Sequence, residues 1–146
     1  MKDAMIPEDP NFESRVRESF ARQNVMDLIG ASLKSIGPGF VEIELPWRGD
    51  LTQQDGFLHA GIVTTILDSA CGYAAYTLMP ADSSVLSVEF KVNLLAPAKG
   101  ERIVANAKVK RSGRTLTVCA ADAFADGHLC ATMIATMICL RKHQEE

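Results

Sequence analysis

Residues 61–79 constrain the fold more than any other part of this chain. Ile62, Val63, Ile66, Leu67, Ala70, Cys71, Ala74 and Ala75 recur there at helical spacing and cover a broad face. A helix apolar around so much of its circumference does not lie on a surface; it needs another layer wrapped about it. Pro80 closes the segment, because its ring and missing N–H stop a helix. On both sides of the segment the hydrophobic period changes from helical to two.

The alternating segments supply the layer. Beyond a Gly37-Pro38-Gly39 turn, a strand over 40–47 sets Val41, Ile43, Leu45 and Trp47 against Glu42 and Glu44. After Pro80, Leu86, Val88, Phe90, Val92 and Leu94 alternate with Ser87, Glu89, Lys91 and Asn93. Ile103, Ala105, Ala107 and Val109 alternate in the same way. A turn at 111–114 leads to a strand over 115–124, and Asp126-Gly127-His128 leads to the last strand over 129–140. Links this short imply antiparallel neighbours. Ahead of all this, Phe12, Val16, Phe20, Val25, Leu28 and Ile29 suggest an amphipathic N-terminal helix at about 11–30.

The order predicts an α+β fold: one curved antiparallel sheet wrapped around one long central helix. At 146 residues the chain fits a single domain over 1–146. One sheet in so small a chain cannot bury both of its faces, so self-association is expected.

Composition narrows the partners. Fifteen basic against 18 acidic residues give a net charge of −3, which argues against nucleic acid. The apolar stretch 129–140, interrupted by Thr132 and Thr136, falls short of the roughly 18 residues of a membrane span. The N-terminus is polar and shows no targeting segment, so a cytoplasmic location is expected. Cys71, Cys119, Cys130 and Cys139 form no Cys-x-x-Cys pair and sit in apolar segments, as buried reduced thiols do. His59, His128 and His143 have no ligand-like spacing, and no metal site is expected.

Two features point to chemistry. Asp68 is the one acidic residue between Asp55 and Asp82, and it lies inside the apolar helix. A carboxylate there needs a partner, water or a task; the alternative is an exposed stripe shared with Thr64, Thr65 and Gly72. His59-Ala60-Gly61 stands where loop becomes helix. Free N–H groups at such a start suit a polarised carbonyl oxygen, while a plain tight turn would also account for the residues.

These residues, taken together, resemble the hot-dog fold acyl-CoA thioesterases of the phenylacetic-acid-pathway type. That family carries His-Gly-Gly and then an Asp or Glu nine positions after the His, as His59 and Asp68 stand here. Its Asn or Gln six positions before the His is Gln53. Ser87-Val88-Glu89, Pro97-Ala98-Lys99 and Gly113-Arg114-Thr115 match three further short motifs. Ala60 replaces the first glycine but keeps the backbone N–H on which the role rests. The likeness covers roughly residues 35–140.

The resemblance implies hydrolysis of an acyl-CoA or aryl-CoA thioester, with no metal and no cofactor. It places the site between subunits of a homodimer or homotetramer. Asp68 would attack the carbonyl or activate water; the N–H of Ala60, aided by Gly61, would polarise the carbonyl. Gln53 and Ser87 would orient the carbonyl, the water or the carboxylate, and Tyr73 or Tyr76 would line the acyl pocket. Lys99, Arg111, Ser112, Gly113 and Arg114 would bind coenzyme A. Residues 99–114 hold six basic residues and one acidic residue, a local basic patch suited to phosphates; Lys108 and Lys110 equally suit a solvated strand edge. The rivals are a hot-dog hydratase or dehydratase using His59 with Asp68, and a non-catalytic acyl-CoA-binding protein.

Overall fold

The computed structural model describes residues 5–142; His143 lies outside them. Two short helices, α1 (Phe12–Ala21) and α2 (Asn24–Ile29), precede strands β1 (Ser32–Gly37) and β2 (Phe40–Pro46). The central helix α3 (Ala60–Tyr76) follows. Strands β3 (Ser83–Leu94), β4 (Arg102–Ser112), β5 (Leu116–Ala125) and β6 (His128–Arg141) complete the fold.

All six strands form one antiparallel sheet in the order β1-β2-β4-β5-β6-β3. Helix α3 carries the chain from β2 across the sheet to the far edge, where β3 pairs with β6. The segment after β3 returns it to β4, beside β2. Ile43 and Leu45 of β2, Ile103 and Ala105 of β4, and Cys119 of β5 are fully buried on the helix side. Ile66, Leu67, Ala70 and Cys71 meet them from α3. The expected sheet around one central helix is the observed one.

Several boundaries differ from the sequence expectation. The N-terminal helix expected over about 11–30 is two helices, because the chain turns extended at Gln23 (φ −81°, ψ 95°). The break lets Val16 and then Met26 and Ile29 reach the core, and it leaves Val25 and Leu28 exposed. Helix α3 begins at Ala60 and ends at Tyr76, short of Pro80. A residue before proline avoids the helical region, so the last turn unwinds ahead of it. Arg15 from α1 fills the gap, donating to the carbonyls of Tyr76, Met79 and Pro80 while its guanidinium lies 4.3 Å above the Tyr76 ring.

Trp47 falls outside β2 and is exposed, its indole N–H 3.4 Å from Gly56 O. Glu44, expected on the open side, is buried because Lys34 and Arg102 each reach it at 2.9 Å. In β3 the simple alternation fails. Ser87 pairs with Met137 and Glu89 with Thr136, so Val88 is an extra residue, a β-bulge. Beyond it Phe90, Val92 and Leu94 turn to the helix side of the sheet, opposite Ala135, Met133 and Ala131.

Candidate active site

Asp68 lies on the half-open stripe of α3, with Thr64, Thr65 and Gly72. Its neighbours Ile66, Leu67 and Ala70 are fully buried, so the helix is fixed by its apolar face and the carboxylate is held facing the sheet edge. Ser87 on β3 donates its hydroxyl hydrogen to Asp68 Oδ1 at 2.6 Å. The bulge at Val88 directly follows Ser87, and such bulges re-aim side chains at a sheet edge. Met137 Sδ lies 3.4 Å from the same hydroxyl.

The start of α3 is built separately. His59 is the N-cap, and its Nδ1 accepts the Gly61 N–H at 2.8 Å. Gly61 therefore spends its N–H within the chain, contrary to the expectation that it aids the carbonyl. The Ala60 N–H makes no hydrogen bond among the described residues. Of these two N–H groups, only that of Ala60 is without a partner among the described residues. A Cβ at Gly61 would lie 3.0 Å from His59 Nδ1, so a side chain there would require the imidazole to shift by a few tenths of an ångström.

Gln53 turns its side-chain carbonyl inward, accepting from Asp55 N at 2.5 Å and Phe57 N at 3.3 Å. Its amide nitrogen has only a 3.5 Å contact with Asp55 Oδ2 and keeps donor capacity. Pro97-Ala98 supplies an anchor that sequence reasoning gave no role. Ala98 O accepts Leu58 N–H at 3.1 Å, fixing the residue ahead of His59. Nothing in the local sequence pattern signals that contact, which joins segments forty positions apart.

Two cavities flank the helix. One, of about 400 Å³, is lined by Asp68 and Ser87 with Tyr73 and Tyr76. The other, of about 390 Å³ and mostly apolar, is lined by Gln53 and Ala60 with Phe57, Val63, Leu94 and Pro97. Ala60 and Asp68 are eight residues apart on one helix, about 12 Å along its axis. Within one subunit, they cannot both touch a single carbonyl group.

The basic residues also separate. Lys99 precedes β4, beside the apolar cavity, whereas Arg111, Ser112, Gly113 and Arg114 form the exposed hairpin tip at the strand's other end. A strand extends about 3.3 Å per residue, so the segment is a strip and not the expected single patch. Arg102 is occupied by Glu44. Gly113 permits the tight tip: a Cβ there would lie 2.8 Å from Leu116 O.

A sequence profile of the thioesterase superfamily matches residues 55–132, more than half of the chain. The chain belongs to the thioesterase superfamily. It is similar to a thioesterase family protein of Silicibacter pomeroyi, whose crystal structure superposes with a TM-score of 0.87 at 54% identity, over 90% of this chain and 99% of that one. Human acyl-coenzyme A thioesterase 13 is 33% identical over 92 residues, 62% of this chain and 65% of that protein. The PaaI protein of the E. coli phenylacetic acid degradation operon shares the fold, with a TM-score of 0.82 at 14% identity over 91% and 94% of the two chains.

The expected hot-dog fold is thus the observed one, and this thioesterase superfamily member is a thioester hydrolase. The matched span contains the Asp68, Ser87 and Ala60 positions and ends inside β6. It excludes α1 and α2, which close one side of the Asp68 cavity through Ser19, Arg22 and Gln23. Sequence reasoning missed those three residues. Helical periodicity shows only that α1 packs somewhere, and the break that aims them is set by tertiary contacts. Among the described residues, no helix is long and apolar enough to cross a membrane.

Proposed function

We propose that this thioesterase hydrolyses acyl-CoA thioesters to the free acid and coenzyme A at a site shared by two subunits. The observation that carries the proposal is the hydrogen-bonded Ser87–Asp68 pair on the wall of a cavity, Asp68 being the one charged residue of α3. The Ala60 N–H of one subunit polarises the thioester carbonyl. Asp68 of the partner subunit attacks that carbon, or takes a proton from the water that does. The C–S bond then breaks and coenzyme A leaves as its thiolate. In the water route the thiolate takes back the proton that Asp68 removed from the water. In the direct route water cleaves the Asp68–acyl anhydride to the free acid and the regenerated carboxylate, and its released proton goes to the thiolate. Ser87 orients the carboxylate, and Gln53 uses its spare amide hydrogens on the carbonyl or the water.

The separation of Ala60 and Asp68 along α3 supports sharing. Strand β3 supports it. This 12-residue strand lies at the sheet edge with Leu86 56%, Val88 55%, Phe90 45% and Leu94 55% exposed. A long apolar edge of that kind is covered in stable proteins, and a second copy pairing through β3 covers it. The exposed tip at Arg111–Arg114 receives the phosphates of coenzyme A, and Lys99, at the other end of β4, can join it only from another subunit.

Free-thiol release from a panel of acyl-CoA and aryl-CoA esters by the purified protein tests the proposal. A hydratase would convert an enoyl-CoA without releasing thiol, and a binding protein would release none from any ester.

A further inference from the structure

The wall that α1 and α2 add to the Asp68 cavity lies outside the matched family span and has no part in the hydrolysis described above. Ser19 lies in the last turn of α1, Arg22 and Gln23 form the break before α2, Ser69 and Tyr73 face them from α3, and Lys142 follows β6.

This wall is rich in hydrogen-bond donors. Ser19 Oγ and Tyr73 OH lie 3.3 Å apart, so one hydroxyl hydrogen joins them and the other remains to donate. Gln23 Nε2 lies 3.2 Å from Ser69 Oγ and keeps a second amide hydrogen. Arg22 and Lys142 form no ion pair among the described residues. Burial pushes the Tyr73 phenol up and the neighbouring Tyr76 adds to the rise, while the Ser19 hydrogen bond and the Arg22 charge pull it back. Asp68 is the one carboxylate lining the space.

We propose that this cavity is an acyl-group subsite for short chains ending in a carboxylate, gripped at their far end by Arg22 and Lys142. The inference rests on the acyl-CoA thioesterase reading above and deepens it. An alkyl tail would leave the part-buried donors of Ser19, Gln23 and Tyr73 without a partner, whereas a carboxylate satisfies several at once and draws on the exposed cations Arg22 and Lys142 at the cavity rim. Tyr73 stands five residues beyond Asp68, about 7.5 Å along the axis, so a terminal carboxylate reaches the cations without meeting the Asp68 charge.

The test compares thiol release from adipyl-CoA and hexanoyl-CoA, which have equal carbon number, by the wild-type protein and by Arg22→Gln, Arg22→Lys and Lys142→Gln. The readout is the ratio of kcat/KM for the two esters, which does not depend on the folded fraction. The expected wild-type ratio favours adipyl-CoA by about five-fold, the size of one solvent-exposed charge contact. Arg22→Gln lowers that ratio by a similar factor through KM for adipyl-CoA, Lys142→Gln lowers it less, and Arg22→Lys restores part of it. A wild-type ratio at or below one, or a ratio unaltered in Arg22→Gln, overturns the subsite while leaving hydrolysis intact. Failure to release thiol from any acyl-CoA overturns the hydrolysis reading, and the subsite with it.

Discussion

Ser87 and Asp68 are joined by a 2.6 Å hydrogen bond that ties the edge strand β3 to the central helix α3. The serine can donate only one hydrogen, so it fixes Oδ1 and leaves Oδ2 with its lone pairs available. The contact depends on two local features: a helix otherwise held by its apolar face, and a bulge at Val88 that resets the strand immediately after Ser87. An edge strand thereby orients the Asp68 carboxylate.

Ser87→Ala removes that donor from a site near the surface. The expected loss is about ten-fold in kcat, the value of one hydrogen bond to a charged group, with the fold retained. Steady-state thiol release, alongside circular dichroism, checks it. Unaltered kcat would show that Asp68 needs no help from β3.

Ala60→Pro deletes the one N–H assigned to the carbonyl. Proline suits the first position of a helix, the Ala60 N–H has no intrachain partner, and His59 is already extended at φ −60°, ψ 137°. The fold should survive while kcat falls about 10²- to 10³-fold, the cost of losing an oxyanion donor. Mixing this variant with Asp68→Asn should restore activity, because a hybrid dimer rebuilds one intact site. No recovery after verified subunit exchange would contradict a shared site.

Arg111→Ala and Arg114→Ala should each raise KM for a CoA ester about five-fold, worth roughly 1 kcal/mol, with little change in kcat. The effect should shrink with added salt, since the hairpin tip is exposed. KM unmoved at low salt would assign the tip to solvent.

Burial pushes the Cys119 thiol from 9.0 to about 12, and it pushes Cys71 up as well. A raised folded value means the folded protein keeps its proton where the unfolded chain has lost it. Stability from this source is full below about pH 9 and is lost as pH rises from there towards about 12. Denaturant midpoints measured from pH 8 to pH 11 should fall, and Cys119→Ala should flatten the decline. Native labelling with a thiol reagent should reach partly exposed Cys139 before buried Cys71 and Cys119.

The sequence made the central helix, its apolar face and the β4–β5–β6 hairpins legible, because each depends on periodicity within a short window. His59 and Asp68 were legible as a pair through their spacing in a known family. Long-range geometry was not. That β3 joins β6 rather than β4, and that Val88 bulges, follows from pairing across some fifty residues. The use of the Gly61 N–H by His59 Nδ1 is a rotamer choice that no pattern encodes. The basic residues of 99–114 looked like a patch because sequence proximity hides how far an extended strand separates its ends.

The most direct measurement is thiol release and CoA-ester binding by Asp68→Asn on one preparation. Asparagine keeps the shape and the contact with Ser87 but loses the charge and the basicity, and a neutral amide is easier to bury than a carboxylate. The account predicts a folded, assembled protein that binds the ester while kcat falls at least about 10²-fold. A variant that turns over at near wild-type kcat would contradict it and remove Asp68 from the chemistry.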